Sequence, residues 1–213
     1  MLFFSGVHNK LTVLKMSKTD FAIKRIFDVL FSITGLFLLW PFIIICWLIA
    51  AIETRSNGFF IQKRIGKNGN SIKVYKIKTM YAADRSRSSI TANNISSITI
   101  SGTFFRKYKL DELPQLLNVL WGSMSFVGPR PDVPGYADKL QGDDRVILRL
   151  RPGITGPASI KYRNEENLLL SVADPAYYNN NVIWPDKVKI NKYYYSNYSF
   201  YSDIKYILKT LVK

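Results

Sequence analysis

Cysteine and histidine are nearly absent from this chain, with one of each in 213 residues. A single cysteine, Cys46, excludes an internal disulfide and leaves no basis for a cysteine-based metal site. The single histidine, His8, stands near the N-terminus, so histidine-based catalysis is not expected. The sequence also contains no internal repeat, no P-loop and no dinucleotide-binding glycine pattern.

Acidic residues are scarce, with 15 Asp and Glu against 30 Lys and Arg and a formal net charge of +15. This excess favours an anionic partner, which could be membrane headgroups, nucleic acid or a phosphorylated substrate. Charge alone does not choose among these partners. The length of 213 residues favours one ordinary domain with a core of its own.

An apolar stretch without any charged residue runs from residue 29 to residue 52. It exceeds the roughly 20 residues that a helix needs to cross a bilayer, so we expect it to lie in lipid. Basic residues flank both ends, which places both ends in the cytoplasm, and Pro41 near the midpoint can break the helix. A single-pass anchor is the alternative. At the edge of the stretch we expect Asp28 to pair with Arg25, near the headgroups or on an exposed surface.

Two strand-like runs between residues 59 and 80 flank Asn68 and Gly69, which predicts a two-stranded hairpin. In a regular strand Lys76 and Lys78 share one face and could offer two ammonium groups to a phosphate. Lysines that protect a solvated sheet edge are the alternative.

Two segments rich in particular residue types complete the pattern. Residues 84–102 are rich in Ser, Thr and Asn, which predicts a loop. A second segment lies near the C-terminus, where apolar residues recur at helical spacing from Ile204 to Val212. This spacing predicts an amphipathic helix with Ser202 or Asp203 as its cap. Clustered tyrosines before this helix suit the headgroup zone, so we expect an interfacial helix, with packing on the core as the alternative.

Two adjacent carboxylates, Asp111 and Glu112, precede a short apolar run that predicts a helix. Pro114 is tolerated there because the first helical N–H groups have no intrahelical partner. The carboxylates would then lie where the backbone is partly positive, a place that also attracts phosphate oxygens. Arg106 and Arg130 flank the pair, which indicates phosphate chemistry, whereas simple capping of the helix is the alternative.

The run LDELPQLLNVLWGSMSFVGPRP resembles the signature of the monotopic phosphoglycosyl transferases, bacterial sugar transferases that begin glycan assembly on a polyprenol phosphate. The likeness extends with gaps from Lys24 to about Leu211 and includes KRIFD at 24–28, YKIKTM at 75–80 and RPGITG at 151–156. It implies transfer of a sugar 1-phosphate from a UDP-sugar to polyprenol (undecaprenyl) phosphate, with release of UMP. Such a reaction is the first membrane step in the synthesis of an exopolysaccharide, capsule, O-antigen or glycoprotein glycan.

The resemblance also implies a role for each matching residue. Asp111 is the nucleophile that forms an aspartyl-phosphosugar intermediate, and Glu112 is the ligand of Mg²⁺, with Asp111 as a second ligand. The implied contacts to the substrates come from five basic residues, Lys76, Arg106, Arg130, Arg64 and Arg163. The chain departs from the family pattern at three positions, which are Trp40 before Pro41, Pro157 and Asn191.

The fold expected from these patterns is α+β and mainly helical. It combines an N-terminal membrane segment, which the resemblance implies to be a re-entrant helix–break–helix, with a small β-hairpin and interfacial amphipathic helices around the active site. We expect a poorly ordered extension over residues 1–20, the membrane anchor over 21–56 and a cytoplasmic interfacial catalytic domain over 57–213. Met16 precedes the family-like portion. We therefore expect residues 1–15 to be either an upstream extension or residues included because the translation start was assigned too early.

The expected partners are a UDP-sugar, polyprenol phosphate and the lipids of a bacterial inner membrane at its cytoplasmic face, with a homodimer left open. No nucleic acid is expected to bind. Two alternative functions are a non-catalytic membrane-anchored scaffold and a basic, membrane-tethered protein that binds nucleic acid. The sequence does not reveal which sugar is transferred, because sugar selectivity depends on the shape of the pocket.

Overall fold

A computed structural model describes residues 16–81 and 98–212, and the predictions for residues 1–15 and 84–97 lie outside the described residues. The described part is mainly helical, as predicted, with two small sheets. Its helices are α1 (Lys18–Thr54), α2 (Ile100–Lys107), α3 (Gln115–Trp121), α4 (Pro157–Lys161), α5 (Glu165–Leu170), α6 (Pro175–Tyr178), α7 (Trp184–Ser196) and α8 (Phe200–Leu211). Its strands are β1 (Phe59–Ile65), β2 (Ser71–Ile77), β3 (Ser125–Val127) and β4 (Gly153–Thr155).

Helix α1 runs without interruption through Pro41. The predicted break is therefore not confirmed: a proline removes one backbone donor, but its φ angle suits a helix, so the loss of one hydrogen bond did not end α1. Ser17 and Asp20 begin the helix with a reciprocal capping box. Among the described residues, α1 is the one helix that is long and apolar enough to cross a membrane.

One stripe of α1 packs against the rest of the protein near both ends of the helix, whereas residues 33–45 contain no buried position. The fully buried positions of this stripe follow helical spacing and are Lys24, Asp28, Ser32, Cys46 and Ala50. The other faces of α1 expose large apolar side chains, among them Leu30, Phe31, Phe37, Leu38, Trp40, Phe42, Ile45, Leu48 and Ile52. An apolar surface of this size indicates contact with lipid or with another protein.

Asp28 is buried, with 1% of its surface exposed, and accepts hydrogen bonds from Ser125 Oγ at 3.1 Å and Phe126 N at 3.0 Å. Arg25 instead donates to the carbonyls of Val119 and Leu120. The predicted pair of Asp28 with Arg25 was therefore wrong. Both side chains turn towards partners about a hundred residues away, which spacing within α1 could not show.

Strands β1 and β2 form the predicted antiparallel hairpin, and Asn68 and Gly69 take the positive φ angles of its turn. The second sheet is a short parallel pair of β3 and β4. Gly128 and Gly153 allow this pair to approach closely, because a Cβ atom added at Gly153 would lie 2.2 Å from the Gly128 nitrogen.

Two predicted helix boundaries were wrong. Residues 98–102, predicted as loop, contain a β-bridge at Ile98 and the start of α2, which Thr99 caps. Helix α8 is capped by Ser199 rather than by Ser202 or Asp203. Asp203 is buried within α8, where its carboxylate accepts from Lys24 Nζ at 2.5 Å and from Tyr194 OH at 2.5 Å. The pair of Lys24 and Asp203 fastens α8 to α1.

Candidate active site

The two carboxylates lie in a tight turn just before α3. Leu110–Glu112 forms one turn of 3₁₀ helix, and Lys109 before it has a φ angle of 59°. Pro114 then leads into α3, which Gly122 ends in the left-handed conformation with a φ angle of 83°. The predicted helix, the position of the two carboxylates just before it and its glycine end are confirmed.

Glu112 is held by two basic side chains from different elements. A single oxygen, Oε1, accepts from Lys76 Nζ of β2 at 3.2 Å and from the Arg130 guanidinium at 2.9 Å. Burial alone would raise the pKa of Glu112, but the charges of Arg130 and Lys76 outweigh it and hold that pKa well below its ordinary range. Glu112 therefore stays ionised, and the three side chains form one charged cluster where β2, α3 and the end of β3 meet.

Asp111 sits beside this cluster in a different environment. It is 8% exposed, and its Oδ1 atom is buried without a hydrogen-bond partner within the described residues. Burial raises the pKa of the Asp111 carboxyl, and the neighbouring Glu112 charge raises it further. Buried acceptors are rarely left unpaired, which makes this oxygen a candidate for contact with a bound group.

Two other basic residues of the prediction, Arg106 and Arg64, lie next to the charged cluster without bonding to Glu112. Arg106 of α2 is near enough to Asp111 for its charge to lower the pKa of that carboxyl, and its guanidinium approaches Met80 Sδ at 4.0 Å. Arg64 donates to Gln62 and to the Pro131 carbonyl, and its charge reaches Glu112 and Arg130. Both residues border the cluster formed by Lys76, Glu112 and Arg130.

Arg163 and Lys78 do not join the cluster. Arg163 donates to the Lys209 carbonyl near the end of α8 at 2.5 Å. Lys78 lies just beyond the end of β2 and donates to Ser56 Oγ at 2.6 Å, so the expectation that it joins Lys76 at one phosphate was wrong. The strand ends at Ile77, and the alternation of faces ends with it.

Asn118 fastens α3 to β2, a role that the sequence analysis missed. Its Oδ1 accepts from the Tyr75 backbone N–H at 3.1 Å, and its Nδ2 donates to the Lys73 carbonyl at 2.6 Å. It is 1% exposed. These bonds fix the strand that carries Lys76 against the helix that follows Glu112. The available signal was a lone asparagine inside an apolar run, where burial demands hydrogen-bond partners.

The far end of α3 is held by two arginines. Arg25 of α1 donates to the Val119 and Leu120 carbonyls at 2.6 and 2.7 Å, and Arg151 donates to the Gly122 carbonyl at 2.8 Å. Cations at the C-terminal end of a helix satisfy its last carbonyls and complement its dipole. The short helix next to the carboxylates is thereby tied directly to α1.

Asp132 is a further acid near the cluster that the sequence analysis did not select. Burial raises its pKa to about 6, against the opposing charges of Lys187, Arg64 and Arg130. It follows Arg130 by two residues, and its backbone carbonyl accepts from Ile65 N at 2.9 Å. Asp132 therefore places a half-buried acid among cations of the charged cluster and of α7, which carries Lys187.

Comparison with known proteins identifies the relatives of the chain. The sequence model of the family described as "Bacterial sugar transferase" matches residues 19–213. The exopolysaccharide production protein ExoY of Rhizobium meliloti is 31% identical over 204 residues, which cover 88% of this chain and 83% of ExoY.

Two other relatives differ in length from one another. The uncharacterized sugar transferase EpsL of Bacillus subtilis is 33% identical over 193 residues, which cover 90% of this chain and 86% of EpsL. A UDP-glucose:undecaprenyl-phosphate glucose-1-phosphate transferase of Klebsiella pneumoniae is 34% identical over 200 residues, which cover 89% of this chain and 39% of that protein. The similarity to the longer protein therefore spans nearly all of this chain and less than half of the relative.

Proposed function

The chain belongs to the bacterial sugar transferase family, and we propose that it transfers a sugar 1-phosphate from a UDP-sugar to undecaprenyl phosphate and releases UMP. The observation that carries this proposal is the pairing of Glu112 with Lys76 and Arg130 beside an Asp111 oxygen that has no partner within the described residues. The Klebsiella pneumoniae relative is named for this type of donor and carrier, and ExoY is named for exopolysaccharide production. The reaction would be the first membrane step of surface-glycan synthesis.

The first chemical step is attack by a carboxylate oxygen of Asp111 on the β-phosphorus of the UDP-sugar. A P–O bond forms to Asp111, and the bond from the β-phosphorus to the oxygen that bridges the two phosphates breaks. That oxygen leaves on UMP. The product on the enzyme is an acyl phosphate that carries the sugar. The raised pKa of Asp111 supports this role, because a more basic carboxylate is a better nucleophile once it is ionised.

The second step returns the carboxylate to its starting state. A phosphate oxygen of undecaprenyl phosphate attacks the phosphorus of the acyl phosphate, and the P–O bond to Asp111 breaks. The released product is the sugar linked to undecaprenyl diphosphate. Lys76 and Arg130 would bind the negative phosphate oxygens during both steps, with Arg106 and Arg64 at the border of the site. Arg163 is assigned no contact in this mechanism, because it is bonded to the end of α8.

We propose Mg²⁺ as the cofactor, held by Glu112 and Asp111. Within the described residues no three carboxylate, histidine or cysteine side chains converge into a complete metal cage. Two adjacent carboxylates, one with an unpaired oxygen, fit Mg²⁺, which takes hard oxygen ligands and fills its remaining positions with water and phosphate oxygens. When bound, the ion would neutralise negative charge on the diphosphate.

The contacts of α1 support a membrane anchor with both ends on one side. Near its start Lys24 pairs with Asp203 of α8, and near its end Glu53 accepts from the backbone N–H of Ile100 and from Ser101 Oγ of α2. A polar domain cannot reach across a bilayer to touch both ends of a spanning helix. We therefore propose a re-entrant anchor at the cytoplasmic face of the inner membrane, where a lipid-borne phosphate and a water-soluble UDP-sugar can meet.

The reaction can be tested with detergent-solubilised protein, undecaprenyl phosphate, Mg²⁺ and a panel of UDP-sugars, by measuring UMP release. Wild-type protein should release UMP with at least one sugar. Asp111→Ala should abolish the release and Glu112→Ala should nearly abolish it, whereas Asp143→Ala should keep full activity because Asp143 is exposed and lies outside the cluster. Full turnover by Asp111→Ala, or no turnover with any UDP-sugar, would contradict the proposed function.

A further inference from the structure

A concave surface lies outside the charged cluster, between the segment that follows Arg130 and the start of α7. This cavity is open to solvent and has a volume of about 410 Å³. Its lining residues are Gly135, Tyr136, Lys139, Leu140, Asn180 and Trp184. Aromatic rings, one ammonium group and one amide are the side chains with which proteins bind a nucleoside.

The rings and the amide of this cavity are held in fixed positions. Tyr136 and Trp184 pack edge to face with their centroids 5.4 Å apart. The Tyr136 hydroxyl donates to Asn180 Oδ1 at 2.9 Å and accepts from Asn179 Nδ2 at 3.1 Å. Within the described residues the Nδ2 atom of Asn180 donates to no group, so a donor and the second lone pair of Oδ1 remain for a ligand.

Asn180 is placed by an unusual piece of backbone. Residues Asn179–Ile183 form a π-helical turn between α6 and α7. Such turns are rare, cost stability and occur frequently at functional sites. Here the turn sets Asn180 opposite Tyr136 and leaves Trp184 at the start of α7, where both line the same cavity.

The cavity shares two elements with the surroundings of the charged cluster, the segment after Arg130 and helix α7. Trp184 lines the cavity, and Lys187, one turn further on, is close enough to Asp132 to lower the pKa of that acid. Asp132 lies two residues after Arg130, which donates to Glu112. The segment of residues 130–136 therefore joins the two places, because Arg130 belongs to the charged cluster and Tyr136 lines the cavity.

We propose that this cavity binds the uridine end of the donor, an inference that rests on the proposed function. The sugar is attached directly to the phosphorus under attack, so it lies beside Asp111, whereas the nucleoside lies one phosphate further away. The Asn180 amide matches uracil, since Oδ1 can accept from N3–H and Nδ2 can donate to O4. The exposed aromatic surface can stack on the base, and Lys139 can approach the α-phosphate.

The test uses the full-length protein in detergent, with UMP and CMP as probes and their dissociation constants measured by calorimetry. Trp184→Ala should weaken UMP roughly tenfold or more, because a base loses its stacking partner. Asn180→Asp should favour CMP over UMP, since a carboxylate can accept from the cytosine amino group but cannot donate to O4. Tyr177→Ala is the matched control: Tyr177 is 64% exposed on α6 and does not line the cavity, so its UMP affinity should equal that of wild type.

The outcomes separate this inference from the proposed function. Wild-type protein that turns over UDP-sugars, together with unchanged UMP affinity in both Trp184→Ala and Asn180→Asp, would overturn the uridine site and leave the reaction intact. A rise in the KM of the UDP-sugar without any change in UMP affinity would make the cavity a sugar site and would also overturn it. UMP binding does not require turnover, so the cavity is tested even if no UDP-sugar reacts. Asn180 is exposed, so its variant should fold even if Trp184→Ala does not.

Discussion

The guanidinium of Arg130 donates to Glu112 Oε1 at 2.9 Å, joining the segment after β3 to the turn that precedes α3. Lys76 reaches the same oxygen from β2 at 3.2 Å. Three segments that are distant in sequence thus converge on one carboxylate oxygen. The cluster explains why a carboxylate with little exposure stays charged, since two cations compensate the cost of its burial.

Replacing Arg130 should separate the need for a charge from the need for a planar, forked donor. Arg130→Ala should lower kcat by about 10²–10³-fold, the usual effect of removing one donor that stabilises a transition state. Arg130→Lys should recover only part of the rate, because an ammonium group cannot bind two phosphate oxygens in one plane. UMP release is the measurement, and Arg149→Ala on the exposed surface is the control. Equal rates for Arg130→Ala and wild type would remove Arg130 from the site.

Loss of Asn118 should weaken both the fold and the activity. Asn118→Leu leaves the Tyr75 N–H and the Lys73 carbonyl without partners, which costs about 1–3 kcal/mol for each buried group. The melting temperature in detergent and kcat should both fall, since Lys76 is no longer fixed against Glu112. Ser123→Ala offers a comparison, because it removes one contact of the Asn118 amide and leaves both bonds to β2 in place. A variant with normal stability and normal kcat would refute this positioning role.

The buried pair of Lys24 and Asp203 should behave as a unit. Lys24→Met or Asp203→Leu alone leaves one charge buried without its partner and should destabilise the protein by about 3–5 kcal/mol. The double variant removes both charges and should cost much less than the sum of the two single changes. Chemical unfolding of the three variants and wild type completes the cycle. Strict additivity would mean that the two side chains do not interact in solution.

The path of α1 through the membrane can be tested with single cysteines at positions 20 and 55. Cys46 is buried and is first replaced by Ala to remove background labelling. Because both ends of α1 contact the same domain, a thiol reagent that cannot cross the membrane should label both positions from the cytoplasmic side only. Labelling of the two positions from opposite sides would establish a true span and contradict the re-entrant anchor.

Local features of the fold were predictable from the sequence, whereas its long-range contacts were not. The hairpin follows from Asn68 and Gly69, and the end of α3 follows from Gly122, because a positive φ angle is a local property. The partners of Arg25 and Asp28 lie about a hundred residues away, so spacing within one helix pointed to the wrong pair. Residues 100–102 looked like a polar loop, but Thr99 caps a helix there.

The candidate site was predictable in part for the same reason. Lys76 and Arg130 both bond to Glu112, whereas Arg163 bonds to the far end of α8. The roles that the resemblance implies for these residues stay predictions. Asn118 and Asp132 were missed because their roles depend on which backbone groups and charges fold against them. The break expected at Pro41 was not confirmed, since a proline costs one hydrogen bond but does not by itself end a helix, and the re-entrant path of α1 stays a prediction.

The most direct test is to trap the covalent intermediate on Asp111. Protein is mixed with a reactive UDP-sugar without undecaprenyl phosphate, treated with hydroxylamine to capture an acyl phosphate, and digested for mass spectrometry. The mechanism predicts a hydroxamate at Asp111 in wild-type protein, formed together with UMP, and none in Asp111→Asn. Turnover with undecaprenyl phosphate present, but no modification of Asp111 under these conditions, would contradict the two-step mechanism.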